Sequence, residues 1–248
     1  MRFCGVAAAF LLAAMIGVMP AASEDFRLLV LDGRLTKWGE PVLGSGAVVS
    51  YAFATHRTET SGARNCRTLD PFAELTGAGG LGEDQLETEA REAFKIWESV
   101  AQIRFVPAGR EKDADILIGV QANPVGLAFA NVALESDGRP GEKADRKTLL
   151  SSKGDLGASL KAGRPRVGTI RQSLVCLNPE RKWKVGFDGN LEVYDLRYTF
   201  THEIGHAIGL DHPGASGALM GFRYTEISRG LQPSDIEAVQ RLYGKRAN

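Results

Sequence analysis

Between residues 202 and 212 the chain reads HEIGHAIGLDH, which places three of its four histidines within eleven residues. Histidines four apart on one helix project from the same face about one turn apart, so His202 and His206 can both reach a single metal ion. Glu203 points roughly 100° round the helix from its neighbour, which suits a base acting on a metal-bound water better than a third ligand. Gly209 can adopt a left-handed conformation, end the helix and turn the chain back, so that His212 approaches from a new direction. Three imidazoles leave the fourth zinc position open, as in a catalytic rather than a structural site. The plain alternative is a buried helix whose histidines fall four apart by chance. Five fixed positions in register argue against it.

Such a set works only if other elements hold it. Asp195 is a candidate N-cap for the histidine helix, at the end of KWKVGFDGNLEVYD. AVVSYAFAT (Ala47 to Thr55) reads as a first strand, Ile103 and Phe105 begin a second, and Ile116, Ile118 and Val120 alternate as a third. Between the first two, residues 82–101 carry Leu86, Ala90, Ala93, Phe94, Trp97 and Val100 at three- and four-residue spacing, an amphipathic helix. Strand, helix, strand implies a right-handed crossover and a partly parallel sheet. TIRQSLVCLNP (Thr169 to Pro179) is a further strand, and Pro233, Ile236, Val239, Leu242 and Gly244 describe a last capped helix.

The histidine segment resembles the zinc signature of the metzincin metallopeptidases, and GALMGFRY (Gly217 to Tyr224) resembles their Met-turn, with Met220 at the position of the methionine beneath the metal. The plain reading of Met220 is a core gap-filler. LQPSDIEAVQRLYG (Leu231 to Gly244) is similar to the last helix of the matrixin branch, and KWG with its following glycines resembles the start of the catalytic domain in bacterial matrixins and serralysins. The resemblance implies an α+β, zincin-like fold: a mixed, mostly parallel twisted sheet with one antiparallel edge strand and three helices. GLAFANVAL (Gly126 to Leu134) would be that edge, above the cleft, where an extended peptide can add as a strand. It further implies one catalytic Zn2+ on His202, His206 and His212, with Glu203 as general base. Phe129 stands near a position where matrixins often carry a structural-zinc histidine, so that second zinc is not expected, and Ca2+ binding stays undetermined. Phe222 replaces the metal-reaching tyrosine of astacins and serralysins. A phenyl ring cannot ligate.

The chain has 30 basic and 30 acidic residues, so nothing argues for a nucleic-acid or anionic-membrane partner; the expected partner is a peptide or protein substrate, and a monomer is expected. Arg2, an apolar run from Gly5 to Val18 and the small residues of PAAS have the layout of a secretory signal over residues 1–23, implying a secreted or periplasmic protein without stable membrane association once it is removed. An uncleaved anchor is the minor alternative, since spanning a bilayer needs about 20 residues. Export leaves Cys66 and Cys176, which are expected to pair. The rival, implied by resemblance, is a propeptide cysteine capping the zinc, but RNCRTLDPF lacks the proline and glycine surroundings of that switch.

The organisation read from the text is a lead-in over 24–46, too short for an independent prodomain, and a catalytic domain over 47–248, with 135–168 a mobile insertion. His56 reads as an exposed loop residue. No haemopexin-like or calcium-binding repeat domain is expected after Gly244. The function expected is hydrolysis of internal peptide bonds. Alternatives are a non-catalytic zinc-stabilised peptide binder and a zinc peptidase acting at chain termini.

Overall fold

A computed structural model describes residues 26–60, 63, 65–75, 81–135, 165–214 and 217–247. The signal-like segment and most of 135–168 lie outside the described residues.

In chain order the strands are β1 (Arg27–Leu28), β2 (Val30–Leu31), β3 (Arg34–Lys37), β4 (Ala47–Phe53), β5 (Thr58–Glu59), β6 (Thr68–Asp70), β7 (Ile103–Pro107), β8 (Ile116–Gln121), β9 (Ala128–Leu134), β10 (Val167–Leu177), β11 (Trp183–Lys184), β12 (Tyr194–Asp195) and β13 (Leu210–Asp211). The α-helices among the described residues are α1 (Glu83–Glu98), α2 (Leu196–Ala207) and α3 (Pro233–Tyr243). The central sheet runs β7, β4, β8, β10, β9; all these pairings are parallel except β9 with β10. The fold is therefore the expected α+β one.

Local sequence explains the strand positions. β8, the sequence ILIGVQ, is buried at every residue, as a central parallel strand covered on both faces should be. β4 lies nearer the edge and alternates, with Val49 and Tyr51 inward and Val48 exposed. Helix α1 buries Leu86, Ala90, Ala93, Phe94 and Trp97 along one stripe. It stops short of the expected Ala101, because that residue bridges to Lys245 while Gln102 accepts from Ala47 and donates to Gly244. The Trp97 indole donates to the Thr201 carbonyl at 2.9 Å, fastening α1 to α2.

The lead-in is woven into this sheet. β2 and β3 form a hairpin through Asp32 and Gly33, both at positive φ (51° and 70°), a turn that twists with its strands. β3 then pairs parallel with the start of β10, and β1 pairs antiparallel with β13. Cys66 and Cys176 are joined, with Cα atoms 6.4 Å apart and a sequence separation of 110. In the chain-entropy view a loop of that size contributes about 4–5 kcal/mol. The bridge lies in a small apolar cluster with Ala54, Leu69, Leu117 and Leu174, so Cys66 is not at the histidines.

Candidate active site

Helix α2 begins at Asp195, whose carboxylate accepts the Tyr198 N–H at 2.8 Å, the cap expected from the sequence. His202 and His206 follow on one face. After Ala207 the chain turns at Gly209, at φ 104°, where an added Cβ would lie 2.1 Å from the Thr36 carbonyl oxygen. Both conformation and space therefore require glycine. The turn carries His212 back across the helix face.

The Nε2 atoms of His202, His206 and His212 converge, each 3.1 Å from the other two. The Nδ1 of His202 lies 2.9 Å from the Leu219 carbonyl and that of His206 lies 2.9 Å from the Leu210 carbonyl. A carbonyl can only accept, so both Nδ1 atoms carry the proton and both Nε2 atoms present lone pairs. Lone pairs facing one another are not hydrogen bonds; they are a donor set for a cation. Ligands about 2.05 Å from a tetrahedral zinc would stand about 3.3 Å apart, which this spacing fits. Burial holds all three imidazoles below their usual pKa, His206 at about 4, so they are neutral and available near pH 7. Among the described residues this is the one cluster of metal-ligating side chains.

Glu203 is buried beside the triad, with the Ala130 N–H of β9 directed at its carboxylate; desolvation raises its pKa to about 8. Met220 is buried under α2, close enough that a Cβ on Gly205 would meet its sulfur at 2.3 Å. Phe222 is exposed and meets the His212 ring edge-on, with centroids 5.2 Å apart. His56 lies elsewhere, exposed beside Glu111.

Several supporting residues are invisible to motif reading. The buried Asp235 carboxylate accepts the N–H groups of Leu219 at 2.8 Å and Met220 at 3.1 Å, fixing the turn whose carbonyl orients His202. Asp235 is also N3 of the capping box that starts α3, a pattern that could have flagged it in QPSD. Glu89, Arg197 and Arg229 join the start of α2 through contacts distant in sequence, and nothing local announces them.

A cleft of about 870 Å³ includes the triad and is lined by β9, by Tyr198 and Glu203 of α2, by Phe222 and Tyr224, and by Leu31 and Asp32 of the lead-in hairpin. The matrixin family model matches residues 73–244, spanning α1, the strands from β7 onward, the triad and α3. The chain belongs to the matrixin family.

Relatives include human stromelysin-3, 30% identical over 166 residues, which are 66% of this chain and 28% of that protein. Karilysin of Tannerella forsythia is 28% identical over 164 residues, 66% of this chain and 30% of that protein. The Arabidopsis thaliana metalloendoproteinase 1-MMP is 30% identical over 169 residues, 66% of this chain and 39% of that protein. This matrixin chain thus spans well under half the length of these relatives. No helix among its described residues is long and apolar enough to cross a membrane.

Proposed function

We propose that the chain is an exported zinc endopeptidase that hydrolyses internal peptide bonds in an extended substrate lying along β9. The observation that carries this is the convergence of three imidazole Nε2 atoms, two of them freed of their proton by carbonyls at Nδ1, beside a buried carboxyl in one cleft. Zinc held by His202, His206 and His212 would supply a Lewis acid that acidifies water and polarises the scissile carbonyl. Glu203 takes the proton from the attacking water and returns it to the leaving amine nitrogen. Burial raises the pKa of Glu203 in the metal-free chain, so this carboxyl holds a proton more readily than a free one, which suits a group that must donate as well as accept. β9 offers main-chain pairing to a peptide regardless of side-chain type, while Tyr198 and Tyr224, edge to face at 5.1 Å, form an aromatic wall beside the triad. Met220 gives the triad an apolar floor, and its turn anchors His202.

The test is Glu203→Ala with a library of peptides blocked at both ends. Zinc content should stay at one ion per chain, and cleavage should fall about a hundredfold to ten-thousandfold. Loss of zinc in the variant would make Glu203 a ligand. A zinc-replete wild type that cleaves no blocked peptide, yet binds them as well as the variant does, would instead be a binding module.

A further inference from the structure

The lead-in meets α2 at its far end, where the chain turns between the second and third histidines. Three successive carbonyls there are taken up. The Trp38 indole donates to Ala207 at 2.9 Å, the Tyr243 hydroxyl donates to Ile208 at 2.7 Å while accepting the Trp38 N–H, and the Leu29 N–H donates to Gly209 at 2.8 Å. The last helical carbonyl, that of Ala207, and the two that follow it have no helical donor, and the strap meets Ala207 and Gly209 directly and Ile208 through Tyr243. The next two residues pair with β1, Leu210 opposite Leu28 and Asp211 opposite Arg27. These are the residues that orient ligands. The Leu210 carbonyl takes the Nδ1 proton of His206 at 2.9 Å; Asp211 accepts the His212 N–H at 2.8 Å, with Arg27 3.4 Å from its other oxygen.

We propose that residues 27–38 are a positioning strap for His206 and His212, so that cutting or unpairing it releases the metal rather than uncovering the cleft. The inference rests on the zinc reading above, but not on peptide hydrolysis. Groups that orient metal ligands typically change metal affinity about 10- to 100-fold when lost, and the strap holds two ligands at once.

The experiment follows zinc transfer from loaded protein to a coloured chelator. Leu29→Pro removes the N–H that reaches Gly209, whereas Leu29→Ala keeps it. Release should be about 10- to 100-fold faster in the first and close to wild type in the second. Asp195→Asn, a destabilising change at the opposite end of α2, should leave release unaltered and so separates positioning from general loosening. Should Leu29→Pro fail to fold, the same question is put to a chain with a specific protease site inserted at the Asp32–Gly33 turn, where Gly33 has open space around it. That chain is loaded intact and then cut, and release should accelerate on cutting. Unchanged release after the cut, or a rise in peptide cleavage, would overturn the proposal. A loaded wild type that holds zinc but cleaves nothing would overturn only the peptidase reading.

Discussion

The two ends of helix α2 make an instructive pair. At the start, Asp195 is fully buried and accepts from Tyr198 and Gly186, and the Nε and Nη2 of Arg229 donate to it at 3.0 and 2.9 Å. Arg229 is also 3.5 Å from Glu89, which in turn accepts two bonds from Arg197. Charge holds this end, and an anion suits a helix N-terminus. The other end is held by an indole, a phenol and a backbone N–H, all neutral donors. Neutral donors satisfy the carbonyls without imposing a field on imidazoles that must keep their lone pairs free for a cation. Stability and ligand geometry are thereby assigned to separate regions.

The largest effect should come from breaking the neutral end. Gly209→Ala combines backbone strain of about 1–3 kcal/mol with a backbone clash that costs a similar amount or more. We expect a loss of about 3–5 kcal/mol and of most zinc binding, read by denaturant unfolding and metal analysis. Normal zinc content in a stably folded variant would show that Thr36 can move aside. At the charged end, Asp195→Asn removes one partner of a buried pair, for which about 3 kcal/mol is expected because Arg229 keeps Glu89. Here only stability should change. A parallel loss of zinc affinity would erase the distinction between the ends.

What the sequence disclosed follows the same division. His202, Glu203, His206, Gly209 and His212 were legible because helical geometry turns spacing into direction, and Asp195 because capping is local. β4, α1 and β8 were legible from periodicity. The lead-in strands β1, β2 and β3 have two, two and four residues, too few to show a period, so Trp38 and Leu29 could not be assigned to the helix end. Glu89 and Arg197 are 108 residues apart. Only folding makes them neighbours.

Acid should expose the neutral end next. In the metal-free protein burial keeps His206 near pKa 4 and lowers His202 and His212, against about 6.5 unfolded. Below pH 6.5 the three unfolded imidazoles therefore bind protons that the folded ones refuse, by up to about 1.4 kcal/mol per unit for each, and together they outweigh Glu203, whose raised pKa favours the folded chain as pH drops, so stability falls towards pH 4. Chelated protein melted at pH 7 and pH 5 should show the drop, and zinc-loaded protein should show less of it at pH 7 to 6. A flat profile for chelated protein would mean that the imidazoles are already solvated.

The smallest effect concerns the one fully buried charge in the strap. Lys37 is fully buried, its ammonium donating to the carbonyls of Trp38 at 2.7 Å and Glu40 at 2.6 Å and lying 5.2 Å from the Tyr243 ring centroid. Burial lowers its pKa from 10.5 to about 8, with Glu40 opposing the fall. It is an exception to the neutrality of that end, and a costly one, because at pH 7 the folded chain must carry the charge without water. Between pH 8 and 10 the folded lysine sheds its proton while the unfolded one keeps it. Stability should therefore rise with pH across that window, by about 1–2 kcal/mol, before the buried tyrosines oppose it. Lys37→Met should abolish the rise and change stability little at pH 7, since it removes both the trapped charge and its hydrogen bonds. The comparison of ends sets how the two readouts must separate. If the strap acts on the ligands through backbone hydrogen bonds alone, Lys37→Met flattens the pH profile and leaves zinc release as in the wild type. If release accelerates as well, the Lys37 charge is part of what holds His212, and the helix end near the metal is not neutral after all.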